Sequence, residues 1–535
     1  MVSNAFTPDE RRVLASYFTN LESSVFALIN LPEVVKGALF ARYSRSTKSV
    51  RRLFLDEFHE TLRGHDTPNP TVGTERAEKL YERVLNDYGD DSVAQLGGVH
   101  IACEGVSNIL TKVIERGRLM SYLEQSTRYV PYMDRPGKQW KYHIPTEIRN
   151  SSLEKSYTHC LNFAFETYKK WFEPVQEYYR IRHPKSSTDT EAVYRAAIRA
   201  KTLDTLRGLL PAATQSNVGI YGSGQAFESL LLHMKSHPLT EVRKCYDLML
   251  VELRKVIPAF LTRVDRPNRG ERWSKYLAER RIATEEISKR LLDKVEGKQR
   301  PEVILTDYDP EGEIKVIAAA LYASCHIPDD QLLAIVREMS INDRLAILQA
   351  YVGKRDNRRH KPGRAFERTT YSFDILSDYG AFRDLQRHRL LTIEWQELTP
   401  THGYVEPATI KEVGASDDWQ RVMEDCRDLH QSISNENSSC VAQYVIPMAY
   451  RLRFHLHMNA REAIHVIELR TTPQGHPAYR RVCQTLHTLI AEQAGHRALA
   501  AAMIFANHSG EVTLERLQAE RETNKRRQQR LHRSK

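Results

Sequence analysis

The feature that most constrains this chain is an internal repetition. Each half carries an Arg-x-Arg stretch, a helical region, a short apolar element ending in proline, and a turn into a helix, in that order. In the first half the last part reads "LRGLLPAATQSNVGIYGSGQAFESLLLHM". In the second it reads "VAQYVIPMAYRLRFHLHMNAREAIHVIELR". Aligning Pro211 with Pro447 places Ser223 against Asn459 and Met234 against Arg470 with no gap. A repeat of this length means two remote copies of one folding unit. The Arg-x-Arg to proline spacing is 95 residues in the first copy and 60 in the second, counted from Arg116 and Arg387. The first copy therefore carries about 35 extra residues, expected between "RNSSLEKSYTHC" and "RHPKSSTDTE".

Between the copies, "VDRPNRGERWSKYLAERRIATEEISKRLLDKVEGKQRP" is densely charged, poor in apolar residues and flanked by Pro and Gly. That composition reads as a linker containing a solvated helix. The expected organisation is a first copy at 1–265, a charged helical linker at 266–300, a second copy at 301–510 and a basic tail at 511–535. Helical spacing dominates, as in "PEVVKGALFARYSRS", "EKLYERVLNDYG" and "DDWQRVMEDCRDLHQSI". In "YRLRFHLHM" polar Arg451, Arg453, His455 and His457 alternate with apolar partners, which is the pattern of a strand with one wet face. The expected class is α+β, helix-rich, with a small sheet in each copy.

Composition narrows the setting. Seven cysteines are scattered with no CxxC, against a disulfide framework or a cysteine-rich zinc site and for a reducing, cytoplasmic location. No apolar run is long enough for a membrane span. The opening "MVSNAFTPDERRVLASYF" lacks a basic start followed by an apolar core, so no secretory signal is expected. The net charge of +10, from 78 basic and 68 acidic residues, suits a protein that holds phosphates or touches nucleic acid. Part of the excess lies in "ERETNKRRQQRLHRSK", read as a solvated helix rather than a reader of nucleic acid.

Three stretches carry chemistry. In "MNAREAIHVIELR", Asn459 and Glu462 form a capping pattern, with Glu462 expected to reach back to the start of the helix. A cap does not require Arg461, His465 and Glu468, which share one polar face at 100° per residue. That face is either solvated or ligand-binding. Arg470 ends the helix, where its dipole alone favours a cation by about 0.3–1 kcal/mol. In "RHRLLT", Arg387, His388 and Arg389 cluster two guanidiniums around an imidazole, and such a turn suits an anion. In "SYLEQSTRYV", Glu124, Ser126, Arg128 and Tyr129 put a carboxylate, hydroxyls and a fork donor within six residues. A zinc site from His455, His457 and His465 lacks supporting carboxylate or cysteine spacing, and no metal is expected.

"GDDSVAQ" followed by "IERGRLMSYLEQSTRYV" resembles the flavin-dependent thymidylate synthase family, whose signature is RHR, seven residues, then Ser, continuing to x-Arg-Tyr. Arg116, Arg118, Ser121, Glu124, Ser126, Arg128 and Tyr129 fall in register, with Gly117 for the histidine, Asp90 for an upstream histidine and Gln95 for a glutamate. The second copy opens like a family chain start, "VILTDYDPEGEIKVIAAALY", and keeps RHR and "NAR". The resemblance implies a tetrameric helix-and-sheet fold with FAD and dUMP between subunits. It also implies NADPH as reductant, methylenetetrahydrofolate as one-carbon donor, and an arginine that polarises the uracil. Catalysis of that kind is positional and electrostatic.

Carried over residue by residue, the resemblance divides between the copies. The first keeps the nucleotide set, Glu124, Ser126, Arg128 and Arg207. It has Ser223, Gln225 and Met234 where the family has Asn, Arg and the activating Arg. The second keeps Arg387, His388, Arg389, Asn459, Arg461 and His465 for FAD, with Arg116 and Arg118 as first-copy counterparts, and Arg470 as the activating arginine. Its nucleotide loop has Trp395, Glu397 and Thr399 for Glu, Ser and Arg, and Gln443 stands where the first copy has Arg207. The expectation is complementary degeneration: composite sites built from both halves, in a homodimer that mimics the family tetramer. The leading reading is dUMP methylation to dTMP. The alternatives are flavin-dependent modification of another pyrimidine nucleotide, or a non-catalytic nucleotide- or nucleic-acid-binding scaffold.

Overall fold

The computed structural model describes residues 6–58 apart from 24–25, 44–45 and 47, residues 95–510 apart from 188 and 437–438, and residues 514, 517 and 521. The helix expected from "EKLYERVLNDYG", most of "GDDSVAQ" and most of the basic tail lie outside the described residues. Among the described residues no helix is long and apolar enough to cross a membrane. Two units interleave along the chain. One comprises Met1–Val106, Val113–Glu124 and Ser216–Val295; the other comprises Ser107–Lys112, Gln125–Gln215 and Glu296–Lys535. The copies are a division of the sequence, and these units are a division of the packing.

The smaller unit is built on a sheet of order β1 (Gly98–Ser107), β3 (Gln215–Ser223), β2 (Met120–Glu124). β2 and β3 run antiparallel, Met120 opposite Gly222 and Glu124 opposite Val218. Along β3, Val218 and Ile220 are buried while Asn217 and Tyr221 face outward, the two-residue period of a half-buried strand. Ser223 caps the helix Gly224–Lys235, its Oγ accepting from the Ala226 N–H at 3.3 Å. Gly117 stands where the resemblance places a histidine. The Tyr122 hydroxyl donates to the Gly117 carbonyl at 3.2 Å, and a Cβ at residue 117 would lie 2.5 Å from that hydroxyl. The charged segment forms a helix, Gly270–Leu292, with only Gly270, Ser274 and Leu277 buried.

The larger unit holds an antiparallel sheet of order β4 (Val303–Tyr308), β5 (Thr370–Asp378), β7 (Arg451–Asn459), β6 (Thr392–Trp395). β7 follows its sequence pattern: Leu452, Phe454, Leu456 and Met458 are buried, and Arg451 and His455 are exposed. The register sets Ile375 opposite Phe454 and Phe373 opposite Leu456, which fixes both apolar faces on one side. Pro477–Glu492 packs on β4 and β5 and Ala460–Arg470 on β7, while Ser416–Glu436 of the second copy packs against Glu154–Arg182 of the first, which packs against Glu191–Leu206. The first copy's extra length lies largely here. Glu154–Arg182 has 29 residues against 21 in Ser416–Glu436, and Glu191–Leu206 has 16 against 4 in Ser439–Ala442.

The two proline elements aligned from the sequence pair with each other. Pro211 and Pro447 sit opposite in an antiparallel bridge. The Ala212 N–H donates to the Ile446 carbonyl and the Met448 N–H to the Leu210 carbonyl, both at 2.9 Å. Further out, Ala213 donates to Tyr444 at 2.8 Å and Ala449 to Gly208 at 3.0 Å. Each bond has its mate at the same sequence offset, so the segments are related by a local two-fold. The prolines occupy the non-hydrogen-bonded position, where a missing N–H removes no rung. Gly208 permits the close approach: a Cβ there would lie 2.6 Å from the buried Trp419 ring and 3.1 Å from the Ala449 Cβ. Gly208→Val is expected to destabilise the protein by about 1–3 kcal/mol through overpacking against Trp419. The denaturant midpoint measures this, with Gly208→Ala intermediate.

Candidate active site

The two-fold pairing sets the end of the first copy's helix Glu191–Leu206 against the second copy's short helix Tyr379–Leu385. Asp378 caps that short helix, its Oδ1 accepting from the Ala381 N–H at 2.9 Å. The helix ends at Leu385, and the turn that follows carries Arg387, His388 and Arg389. His388 is buried, whereas Arg387 and Arg389 point outward. Arg207 follows the first copy's helix directly and is buried.

A single polar cluster results. Arg128 grips Asp204 with both arms of its fork, Nε to Oδ1 at 2.6 Å and Nη2 to Oδ2 at 2.8 Å. Its remaining donors reach the Tyr479 hydroxyl at 2.8 Å and the Gln474 carbonyl at 3.1 Å. Arg207 Nη1 donates to Asp384 Oδ2 at 3.3 Å, and Arg470 Nη1 lies 3.9 Å from Asp384 Oδ1. Arg470 Nε donates to His388 Nε2 at 2.9 Å. His388 Nδ1 faces Glu462 Oε1 at 3.3 Å, and His465 Nδ1 faces Glu462 Oε2 at 3.2 Å. The Tyr479 ring lies between Arg128 and Arg470, 5.7 and 5.5 Å from their guanidinium carbons.

The electrostatics follow from burial and neighbours. Burial lowers the His388 pKa to about 4, against the raising effect of Glu462. The ring is neutral at pH 7, and the donor from Arg470 assigns the proton to Nδ1, which donates to Glu462. The Glu462 carboxyl is burdened by desolvation, but its two histidine bonds bring it down to about 2. Asp204 is likewise held at about 2, the Arg128 guanidinium overcoming its burial. Arg207 and Arg470 keep Asp384 well below the carboxylate range despite its burial. Burial also lowers His476, whose Nε2 lies 3.3 Å from the Asp204 carbonyl, to about 3. The ligand atoms of His388, Glu462 and His465 lie within 4.8 Å of one another. A cation there would face the Arg470 guanidinium, so the set reads as a hydrogen-bonded relay from carboxylate through histidine to arginine.

The sequence candidates distribute as follows. Arg128, Arg207, His388, His465 and Arg470 come together in this cluster, with Ser126 beside it, its Oγ accepting from the Arg128 N–H at 3.2 Å. Asn459 is the expected N-cap, accepting from the Glu462 N–H at 2.9 Å. The capping box is not completed, because the Glu462 carboxylate is taken by the two histidines. Arg461 turns toward the Pro362 carbonyl at 3.0 Å and Glu367 at 3.3 Å. Glu468 leaves the expected polar face entirely. It is buried in a two-armed ion pair with Arg355, at 2.6 and 2.7 Å. Arg116 and Arg118, both exposed, and the buried Glu124 belong to the smaller unit. At the second-copy positions aligned with the expected nucleotide loop, Trp395 packs on Phe382, Thr399 caps a turn through its hydroxyl, and Gln443 accepts from the Leu398 N–H at 3.0 Å. Glu397 is exposed.

Sequence reading missed Asp204, Asp384, Glu462 as a histidine partner, and Tyr479. It also missed a cleft of about 290 Å³ in the larger unit, lined by Arg300, Glu302, Leu376, Arg451 and Arg481. The available signal for Asp384 was a lone acid three residues before RHR. The donor set suits FAD in its chemistry: outward cations at Arg387 and Arg389 for phosphates, and a half-exposed His465 next to the neutral His388.

Comparison with known proteins places these residues in context. A family model described as thymidylate synthase complementing protein matches residues 38–259 and 303–494, one match in each half. A UPF0159 protein of Chlamydia pneumoniae is 38% identical over 490 residues, covering 90% of this chain and 92% of that protein. A UPF0159 protein of Thermoplasma acidophilum is 30% identical over 511 residues, covering 91% and 97%. A flavin-dependent thymidylate synthase of Clostridium tetani is 25% identical over 199 residues, covering 36% of this chain and 74% of that protein. Among solved structures, the UMP/dUMP methylase PolB from Streptomyces cacaoi bound with 5-Br dUMP matches with a TM-score of 0.30 and 17% identity, over 37% of this chain and 94% of that one.

The buried neutral His388 makes stability pH-dependent. Its folded pKa of about 4 lies below the ordinary 6.5, so between those values the unfolded chain binds the extra proton. Stability is therefore full above about pH 6.5 and falls as pH drops toward 4, by at most on the order of 3 kcal/mol from this group. The midpoint of thermal unfolding, followed from pH 7 to 4.5, is expected to decline less steeply in His388→Gln than in the native protein.

Proposed function

The chain belongs to the thymidylate synthase complementing protein family, and we propose that it is a flavin-dependent methyltransferase that converts dUMP to dTMP. The observation that carries this reading is the meeting of residues from both half-sets in one cluster. Arg128 and Arg207 come from the first copy, and His388 and Arg470 from the second. The residues that each copy lacks are those the other supplies. The flavin-dependent thymidylate synthases among its relatives support the same reaction class.

In this reading Arg470 donates to the uracil carbonyl, and its aim is set by His388, whose tautomer is in turn set by Glu462. Donors aimed before the reaction stabilise developing charge without reorganisation. Arg387, His388, Arg389 and His465 hold FAD, with Asn459 and Arg461 supporting the turn and the helix start. The chemistry that bound FAD supplies is hydride transfer, with NADPH as its reductant and methylenetetrahydrofolate as the one-carbon donor. Arg207 and Ser126 receive the nucleotide, and Arg128 shapes that loop through Asp204 and Tyr479. A homodimer of such chains presents two composite sites where the four-subunit arrangement of the family presents four. A second reading, another pyrimidine substrate, is favoured by one observation: the Asp384 carboxylate between Arg207 and Arg470.

Rescue of thymidine-requiring cells lacking any thymidylate synthase tests the function, with flavin absorbance of the purified protein as the companion measurement. Soluble, flavin-loaded protein that fails to rescue would direct the reading to the second substrate class. Arg470→Ala is expected to lower kcat by about 10²-fold or more. Because Arg128 and Arg470 meet within one chain, mixing Arg128→Ala chains with Arg470→Ala chains is expected to restore no activity. Recovery on mixing would overturn the single-chain site.

A further inference from the structure

Arg207 is 4% exposed, yet its Nη2 has no hydrogen-bond partner among the described residues. Its Nη1 is bound to Asp384. Gly380 lies directly against the guanidinium: a Cβ there would sit 2.9 Å from Nη2. The absence of a side chain at Gly380 lets the guanidinium pack against the main chain there, and Nη2 remains a buried donor without a partner among the described residues. Asp384 also faces Arg470. The Asp384 carboxylate thus stands where an anion held by the Arg207 guanidinium would stand. Arg128 cannot substitute, because Asp204, Tyr479 and Gln474 already engage its fork.

We propose that Asp384 is a specificity-determining residue: it competes with a 5′-phosphate for the Arg207 donors, and so sets how much a phosphate adds to the binding of a pyrimidine nucleoside. The proposal rests on the reading that a uracil compound binds at this cluster, and it deepens that reading. A phosphomonoester that takes the Arg207 donors must displace the carboxylate or lie beside it. Two like charges in a partly buried site repel far more than in water. Arg207 and Arg470 hold that carboxylate ionised, so protonation does not relieve the conflict at neutral pH. The native site therefore gains little from the phosphate, and ligands that differ only in that group are poorly separated.

The test is equilibrium binding of dUMP and deoxyuridine to the full-length native protein, to Asp384→Asn and to Arg207→Gln. In the native protein the two ligands are expected to bind within about tenfold of each other. In Asp384→Asn, dUMP is expected to tighten by about tenfold or more while deoxyuridine stays within about twofold. Adding Arg207→Gln to Asp384→Asn is expected to abolish that gain, which ties the effect to the one arginine. Unchanged or weaker dUMP binding in Asp384→Asn, with deoxyuridine bound as in the native protein, would overturn the proposal. Asp384→Gln serves as the second variant if the melt shows that Asp384→Asn is misfolded. Should neither uracil compound bind any of these proteins, the methyltransferase reading falls. Inorganic phosphate then reads the competition alone: tighter binding to Asp384→Asn by about tenfold sustains it, and equal binding sinks it.

Discussion

The reciprocal backbone pairing between residues 208–213 and 444–449 is the constraint on which the larger unit depends. Four main-chain hydrogen bonds cross between the copies in symmetric pairs, and each segment is followed by a strand and a helix start. Main-chain pairing is indifferent to side chains, so it survives divergence of the two sequences. The residue just before each paired segment is therefore carried to a fixed place whatever it is. In the first copy that residue is Arg207, delivered to Asp384; in the second it is Gln443, which accepts from the Leu398 N–H. One geometry serves a buried ion pair in one copy and a loop-holding hydrogen bond in the other.

Bringing several arginines into one buried cluster requires counter-charge, because an unpaired buried ion is costly. Two aspartates supply it. Asp204 faces Arg128 in an ideal two-armed pair, and Asp384 lies between Arg207 and Arg470 at longer range. The difference in geometry matters. Arg128 is locked by Asp204, Tyr479 and Gln474, whereas Arg207 retains a donor without a partner among the described residues. On the far side of Arg470, charge is handled differently. His388 is kept neutral by burial and works as a connector between a carboxylate and a guanidinium. A protonated histidine there would repel Arg470 and lose its acceptor, so neutrality is what makes the connection possible.

Much of this was legible from the residues alone. The alternation in Tyr450–Met458, the caps at Ser223 and Asn459, the solvated helix after Val264 and the correspondence of Pro211 with Pro447 all rest on local pattern. Local pattern reports which face a residue lies on; it is silent on what that face meets. Glu462 was read as closing a capping box because the spacing allows it, but two histidines compete for the same carboxylate and win. Glu468 was assigned to a polar face for the same reason, while its partner Arg355 lies more than a hundred residues away in sequence. Asp384 is a lone acid near the end of a largely apolar helix, and nothing within that helix tells that Arg207 arrives from the other copy.

The positions at which the copies differ are also held by local contacts. At Gly117, where the resemblance places a histidine, the Tyr122 hydroxyl sits so close that a side chain at residue 117 would have to move it. Trp395 lies against Phe382, which in turn lies against Phe454 of β7. A substitution at either position therefore disturbs contacts within its own copy before it touches any ligand, and its cost depends on how far those neighbours can shift.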